Sequence, residues 1–227
     1  DEIRRGGPPR DGIPAILEPK FIDPAAAGFL GEDDVVLSVT LDGETRAYPY
    51  RILNWLEIVN DRIGDHHFIA TFCPLCGTGV VYDRQVNDRI LTFGVSGLLV
   101  FDNLLMYDHE TERLWSQLLG ESVTGSQFHA RLQWLASEQM TWKAWRAKYP
   151  AGRVLSTDTG AVRDYSINPY AGYETSDGIF FPIDDIRDDL PIKEWVYGIV
   201  IDGRALAIPR KSLPDVMPVR INLSGTE

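Results

Sequence analysis

The sequence predicts an α+β fold, predominantly antiparallel β with a few short helices. Three observations carry this. Runs of β-branched and aromatic residues in near alternation recur from Val35 onward, the pattern of half-buried strands. Turn residues such as Asp42-Gly43 separate the runs at hairpin spacing. Helical periodicity is confined to a few short stretches.

Residues 1–34 are rich in Pro and Gly, with Gly6-Gly7-Pro8-Pro9, Pro14, Pro19 and Pro24. Such a segment cannot hold a long helix or a central strand. It reads as an extended arm packed on the domain, with a short helix near Ala25-Ala26-Ala27. Residues 35–227 read as one α+β domain. Val35–Leu41 and Thr45–Tyr48 form a hairpin around Asp42-Gly43. Pro49 then opens a short helix over Tyr50–Leu56. Phe68–Phe72 reads as a buried strand. Gly79–Asp83 and Arg89–Val95 look like a hairpin turning at Val86-Asn87-Asp88. Thr141 caps a helix through Tyr149, where Trp142, Trp145 and Tyr149 recur at helical spacing and Pro150 ends it. Arg153–Ser156 is the next strand.

The hairpin–proline unit recurs. Ser38–Pro49 aligns without gaps to Gly198–Pro209, at an offset of 160 residues, and Asp-Gly, Ala and Pro coincide. Two readings stand open: two similar hairpins by chance, or a pseudo-symmetric pair of β-hairpin–Pro–helix units with the middle of the chain inserted between them.

Composition bounds the function. The 227 residues are 44% hydrophobic and 24% charged, ordinary for a globular protein. The net charge is −11, which disfavours nucleic-acid binding and adsorption to anionic membranes. No apolar run approaches the ~18 residues of a membrane span. Two cysteines make no disulfide scaffold. The chain opens at Asp1 without Met, which fits a removed signal peptide.

Those cysteines are the most informative feature. Cys73-Pro74-Leu75-Cys76-Gly77 has the form of a metal-binding knuckle: a strand ends at the first thiolate, Pro74 fixes the turn, and Gly77 takes positive φ so that backbone N–H groups face sulfur. A thioredoxin-like redox pair would open a helix instead. The following Gly77-Thr78-Gly79-Val80-Val81 favours turn and strand. A structural disulfide or a pair of buried thiols is the third reading.

A knuckle gives two ligands, and a closed site needs three or four. Met106 and His109 lie three residues apart and are the preferred partners; with them the set suits Cu(I), and Cys₂His with a carboxylate or water suits zinc. The alternatives are a core Met106 and a surface His109. His66-His67 lies about 20 Å of extended chain from Cys73. His129 sits in a polar loop. Trp115 and Gln117 could line a pocket, although core packing explains Trp115 as well. Gly94-Val95-Ser96-Gly97 is one residue short of a nucleophile elbow. Asp184-Asp185-Ile186-Arg187-Asp188-Asp189 lacks the spacing of a calcium loop. Asp164–Tyr173 reads as an ordered, Tyr-rich loop, and Tyr170 is its candidate site residue.

With Cys73-Pro74-Leu75-Cys76-Gly77, the stretches Phe93–Gly97, Leu104–Asp108, Thr111 and Leu114–Gln117 match a known pattern. So do Thr141-Trp142, Trp145, Tyr149-Pro150, Val154–Ser156, Asp164-Tyr165, Asn168–Tyr170, Gly172-Tyr173 and Val196–Gly198. From about Gly12 to Leu213 the chain resembles the prokaryotic family designated domain of unknown function 3179. The resemblance implies an exported protein, periplasmic, secreted or lipid-anchored. It implies that Cys73, Cys76, Met106 and the Asp108-x-x-Thr111 pattern belong to the family. The resemblance also implies that another polar residue often stands at the position of His109, which brings in Asp108 or Gln117 as substitutes.

The leading expectation is therefore an exported protein with a copper site, alternatively zinc, on Cys73, Cys76, Met106 and His109, with Asp108, Trp115, Gln117 and Tyr170 around it. The second is a thiol–disulfide oxidoreductase with Cys73 as attacking thiol. The third is a non-enzymatic β-rich module.

Overall fold

The computed structural model describes residues 3–125, 130–183, 186, 188–201 and 204–213. Antiparallel sheets dominate, and two α-helices are present among the described residues.

Three main sheets stack face to face. The middle one runs, in spatial order, Trp134–Leu135, Thr78–Asp83, His66–Cys73 and Ile58–Ile63. On one side lies a five-stranded sheet: Ser137–Thr141, Val35–Leu41, Glu44–Pro49, Arg153–Leu155 and Phe21–Ile22. Within this sheet, among the described residues, the pairing of Arg153–Leu155 with Glu44–Pro49 is the parallel one. On the other side lies Ile3–Arg5, Phe93–Val100, Asn103–Asp108 and Leu114–Ser116.

The middle sheet is buried on both faces, which explains why Phe68–Cys73 is apolar but for Thr71. Side chains alternate across a strand. Phe68, Ala70 and Phe72 face the five-stranded sheet and the helix α1 (Tyr50–Leu56), packing with Leu37, Tyr48, Ile52 and Leu53. Ile69 and Cys73 face the third sheet, packing with Phe93, Leu104, Met106 and Trp115. A second helix, α2 (Trp142–Lys148), covers the outer face of the five-stranded sheet with Trp142 and Trp145.

The local signals act as elementary chemistry requires. Asp42 and Gly43 both take positive φ, 49° and 82°, the two-residue turn that matches strand twist. Pro49 stands in extended conformation at the N-cap of α1. Thr141 accepts from Ala144 N–H at 3.3 Å and caps α2. The short helix of the arm is a 3₁₀ turn over Pro24–Ala26. The arm laces the layers: Ile3–Arg5 pairs with Leu98–Val100, Ile16 bridges to Val59, and Phe21–Ile22 pairs with Val154-Leu155.

Two expectations need correction. The hairpin expected from Gly79–Asp83 and Arg89–Val95 exists only at its tip, where Gln85-Val86 pairs with Arg89-Ile90. Beyond the tip the chains part. Thr78–Asp83 stays in the middle sheet, and Phe93–Val100 crosses to the third, because each buries its own apolar face.

The repeat is real at the level of register. Val36 faces Pro49 and Ser38 faces Ala47; 160 residues on, Val196 faces Pro209 and Gly198 faces Ala207. It does not extend to the surroundings. The first hairpin sits inside the five-stranded sheet, whereas Val196–Ile201 and Arg204–Pro209 form a two-stranded sheet. A 3₁₀ turn, Arg210–Ser212, stands where the first unit has α1. The Asp202-Gly203 turn lies outside the described residues.

Candidate dithiol site

The strand His66–Cys73 ends at Cys73, which pairs with Thr78 across the turn Pro74–Gly77. Gly77 adopts φ 60°, the conformation glycine takes most cheaply, and so closes the turn. The local form is thus the knuckle expected from sequence, a hairpin rather than a helix start. Cys73 lies on the face covered by the third sheet and is buried; Cys76 reaches solvent, although protein crowds most of its surroundings. The two cysteines are free and approach to 3.0 Å.

A chain of side-chain amides holds Cys76. Asn103 Nδ2 donates to Cys76 Sγ at 3.2 Å and to Gln117 Oε1 at 2.9 Å. Leu118 N–H donates to Asn103 Oδ1 at 3.1 Å, which fixes which end of the Asn103 amide faces sulfur. Gln117 Nε2 donates to Thr71 Oγ1 and to the Thr78 carbonyl, both at 3.0 Å. Asn103 and Gln117 are buried and belong to the third sheet and the turn after it; Thr71 belongs to the middle sheet. The chain therefore ties the two layers together at the thiol.

The electrostatics separate the two sulfurs. Hydrogen bonding from Cys73 and, next, from Asn103 and Thr78 pulls the Cys76 thiol down to about 7, against the opposing effect of burial. Burial pushes Cys73 well above its ordinary value, and the adjacent Cys76 adds to this. Two carboxyls share the neighbourhood. Burial first, and the charge of Cys76 second, raise Glu57 to about 8. Burial raises Asp102 to about 6. Glu57 terminates α1 with φ 55°, and its carbonyl accepts from Phe72 N–H beside Cys73. Phe101 and Asp102 both take positive φ, 47° and 61°, in the hairpin turn that brings the Asp102 carbonyl to 3.8 Å from Cys73 Sγ. Two non-glycine residues in that conformation are strained. Asp102 Oδ1 is buried with no hydrogen-bond partner.

Aromatic residues cover the pair. Tyr173 Oη donates to Asp102 Oδ2 at 3.5 Å, and its ring packs on Phe180 with centroids 4.2 Å apart. Lys193 Nζ donates to the Tyr173 carbonyl and lies 3.5 Å from its ring centroid. Trp195 rests on Gly77, where an added Cβ would come within 3.2 Å of the indole. Tyr170 is half-buried. Its phenol is raised first by burial and then by Glu57 and Cys73, so the Tyr-rich loop does reach the site.

The other sequence candidates fall in three groups. Gln117 is at the site. Met106 is fully buried in the core cluster that contains Cys73, on the same strand as Asn103. His109 is not at the site. It is exposed at the far end of that strand, stacked on Tyr107, and six residues from Asn103 amount to about 20 Å of extended chain. The cause is strand geometry: the three-residue spacing from Met106 carries His109 away from the knuckle. Asp108 and Trp115 pair with each other, Trp115 Nε1 donating to Asp108 Oδ2 at 2.8 Å. Thr111 N–H and Oγ1 also donate to Asp108, which is a buried turn anchor. His66 pairs with Asp42 at the opposite end of the cysteine strand. His129, and Asp184, Asp185 and Arg187 of the acidic turn, lie outside the described residues. Sequence reasoning missed Glu57, Asp102 and Asn103. Only Asn103 had a local signal, its place beside the Leu104–Asp108 run.

The donor set bears on a metal. Among the described residues no group of three or more His, Cys, Asp or Glu side chains could hold a metal ion. Closed zinc coordination needs three or four such ligands, and the knuckle supplies two. Cys73 and Cys76 fit a soft two-sulfur contact at most, with Met106 in the adjoining core.

The architecture and the site define a class: a β-rich α+β protein with a buried and an exposed thiol paired in one hairpin. The chain belongs to the family described as protein of unknown function (DUF3179), whose sequence model matches residues 10–227. No curated protein and no solved structure matches it. Among the described residues, no helix is long and apolar enough to cross a membrane.

Proposed function

We propose that the protein is a thiol–disulfide oxidoreductase in which Cys76 attacks and Cys73 resolves. The observation that carries this is the pairing of an accessible thiol held near neutral pKa with a buried, protonated one 3.0 Å away. The thiolate is the nucleophile, and a thiol whose pKa lies near ambient pH attacks best. The sequence expectation has Cys73 as the attacking thiol; the burial of Cys73 and the exposure of Cys76 favour the opposite assignment.

The electrons balance within the pair. Cys76 thiolate attacks one sulfur of a substrate disulfide, and the other sulfur leaves as thiolate and takes a proton. Cys73 then loses its proton and attacks Cys76 Sγ. The mixed disulfide breaks, the second substrate thiolate departs, and Cys73–Cys76 is oxidised. Solvent takes the Cys73 proton, since burial keeps the Glu57 carboxyl protonated near neutral pH. The reverse sequence makes the protein a disulfide donor. Export, which the family resemblance implies, would put the pair in an oxidising compartment where that direction is open.

Copper is the second reading. What favours it is that Met106 and Cys73, both soft ligands, belong to one core cluster. One experiment separates the two. Reduced protein is mixed with hydroxyethyl disulfide, thiols are counted, and copper and zinc are measured on protein isolated without chelators. Loss of both thiols per chain, with a trapped mixed disulfide in Cys73→Ser, supports exchange. Unchanged thiols with about one metal per chain, lost in Cys76→Ser, replaces it with the metal reading.

A further inference from the structure

Three backbone groups that cannot exchange donor and acceptor roles fix the proton positions along the amide chain at Cys76. At one end the Val80 carbonyl accepts from Thr71 Oγ1 at 2.9 Å, which uses the only proton of that hydroxyl. Toward Gln117, Thr71 Oγ1 can then only accept, and it does so from Nε2. The Thr78 carbonyl, an obligate acceptor, takes a second bond from the same nitrogen. Both Nε2 protons are thereby spent, and Gln117 turns Oε1 to Asn103. At the other end Leu118 N–H, an obligate donor, meets Asn103 Oδ1. Asn103 is thus set from two sides, with one Nδ2 proton on Gln117 and the other on Cys76 Sγ. Flipping the Gln117 amide would set oxygen against the Thr78 carbonyl, and flipping Asn103 would set N–H against N–H.

Thr71, Gln117 and Asn103 are all buried, where a polar group that loses its partner stays unsatisfied. Gln117 is held by its backbone as well: its N–H donates to the Leu104 carbonyl at 3.1 Å, and Tyr82 Oη donates to its carbonyl at 3.0 Å. Apolar groups of the same shape would fill the place at little cost to stability. Stability alone therefore does not account for the chain, whereas its end at the sulfur does. Toward Asn103, Cys76 Sγ can only accept. A proton on this sulfur faces the Cys73 carbonyl instead, 3.9 Å away. The bond from Asn103 strengthens when the sulfur is charged, so the chain favours the attacking form.

We propose, on the basis of the dithiol reading above, that Gln117 is a positioning residue for Cys76: anchored on Thr71 and Thr78, it holds Asn103 so that one amide N–H is aimed at the sulfur before the thiol ionises. It serves the first step, in which the Cys76 thiolate attacks a substrate disulfide, the substrate S–S bond breaks, a Cys76–substrate bond forms and one substrate sulfur leaves as thiolate. Gln117 itself does not touch the sulfur. Its effect reaches the thiol only through Asn103.

The test is the pH profile of Cys76 alkylation by iodoacetamide in the reduced full chain. In Gln117→Met the rate should fall about threefold or more at about pH 7 and match wild type at about pH 10, where the thiol is ionised in both. The titratable neighbours Cys73 and Glu57, with Asp102 and Tyr170 beside Cys73, keep their side chains in every variant. Added to Asn103→Leu, Gln117→Met should bring no further loss, since the two act in series. Thr71→Val, which removes the Oγ1 anchor but leaves the Thr78 carbonyl, should give a smaller shift of the same kind, about twofold at about pH 7, and Thr71→Ser should restore the wild-type profile. An unmoved profile in folded Gln117→Met, a loss equal at both pH values, or losses that multiply in the double variant overturn the proposal. Where Gln117→Met does not fold, Thr71→Val decides: a profile identical with wild type overturns the positioning role. Each of these outcomes leaves the dithiol reading standing. That reading falls separately, if hydroxyethyl disulfide fails to oxidise the wild-type pair.

Discussion

The side-chain amide of Asn103 donates to the sulfur of Cys76 at 3.2 Å while its carbonyl end is held by Leu118 N–H. The donor is therefore oriented before the thiol ionises. A hydrogen bond to a charged group is worth about 1.5–3 kcal/mol, and here it favours the thiolate. In Asn103→Leu the Cys76 thiol should rise from about 7 toward the ordinary value of about 8.5. The pH dependence of alkylation by iodoacetamide measures this. Stability should fall by about 1–3 kcal/mol, because Gln117 Oε1 loses its donor in a buried place. An unshifted alkylation profile would show that the amide does not tune the thiol.

The two sulfurs should also react in a fixed order. At neutral pH about half of Cys76 is ionised, whereas burial keeps Cys73 protonated. Brief alkylation of the native protein should give one adduct, on Cys76, by mass spectrometry. Cys76→Ser should slow thiol alkylation on the order of 50-fold or more, since a buried protonated thiol is left. Equal labelling of both residues would remove the distinction between attacking and resolving thiol.

The elements that were legible in the sequence are those whose signals are local. Asp42-Gly43, Pro49 and Thr141 each act on their own backbone, and the hairpin, α1 and α2 stand where those residues place them. Cys73 and Cys76 were legible for the same reason: two residues and a turn define the knuckle. What could not be read was which sheet covers it. Thr78–Asp83 and Phe93–Val100 are close in sequence but go to different layers, and that separation brings Asn103 over Cys76. Without the layer, burial of Cys73 and exposure of Cys76 have no sequence signature, so the sequence alone does not tell the two sulfurs apart. Helix-like spacing suggests that Met106 and His109 lie together, whereas Met106 stands on an extended strand that ends at Asp108, and His109 falls in the exposed turn beyond it, about 10 Å on.

Glu57 gives the stability a pH signature. Its folded value of about 8 lies above the unfolded carboxyl. Between about pH 4.5 and 8 the unfolded chain has released this proton while the folded chain keeps it. The folded state binds more protons there, so this residue's contribution to stability falls as pH rises through that window and is constant outside it. Glu57→Gln carries no such proton. Relative to wild type, the variant should gain on the order of a few kcal/mol between pH 4.5 and pH 8 in urea unfolding of the reduced protein. A difference that stays flat across the window would place an ordinary, solvated carboxyl at position 57.

Tyr48 and Tyr50 make a paired test of buried hydroxyls. Tyr48 Oη donates to Asp61 Oδ2 at 2.6 Å, and Arg46 holds the other oxygen of that carboxylate at 2.6 Å. Tyr50, two residues on, stacks on Phe72 at 3.9 Å, and its Oη is buried with no hydrogen-bond partner. It sits where Gly79 leaves room, since a Cβ there would meet the hydroxyl. A buried hydroxyl without a partner costs free energy, whereas removing one member of a buried pair leaves the other unsatisfied. Tyr48→Phe should therefore destabilise by about 1–3 kcal/mol, and Tyr50→Phe should be neutral or stabilise by about 1 kcal/mol. Chemical denaturation of the two variants side by side checks the contrast. Because Phe72 and Gly79 flank the cysteine hairpin, alkylation of Cys76 should be followed in the same samples. A Tyr50→Phe protein that is as stable as wild type yet slower to react would give that hydroxyl a part in the site; unchanged alkylation would leave it a packing residue.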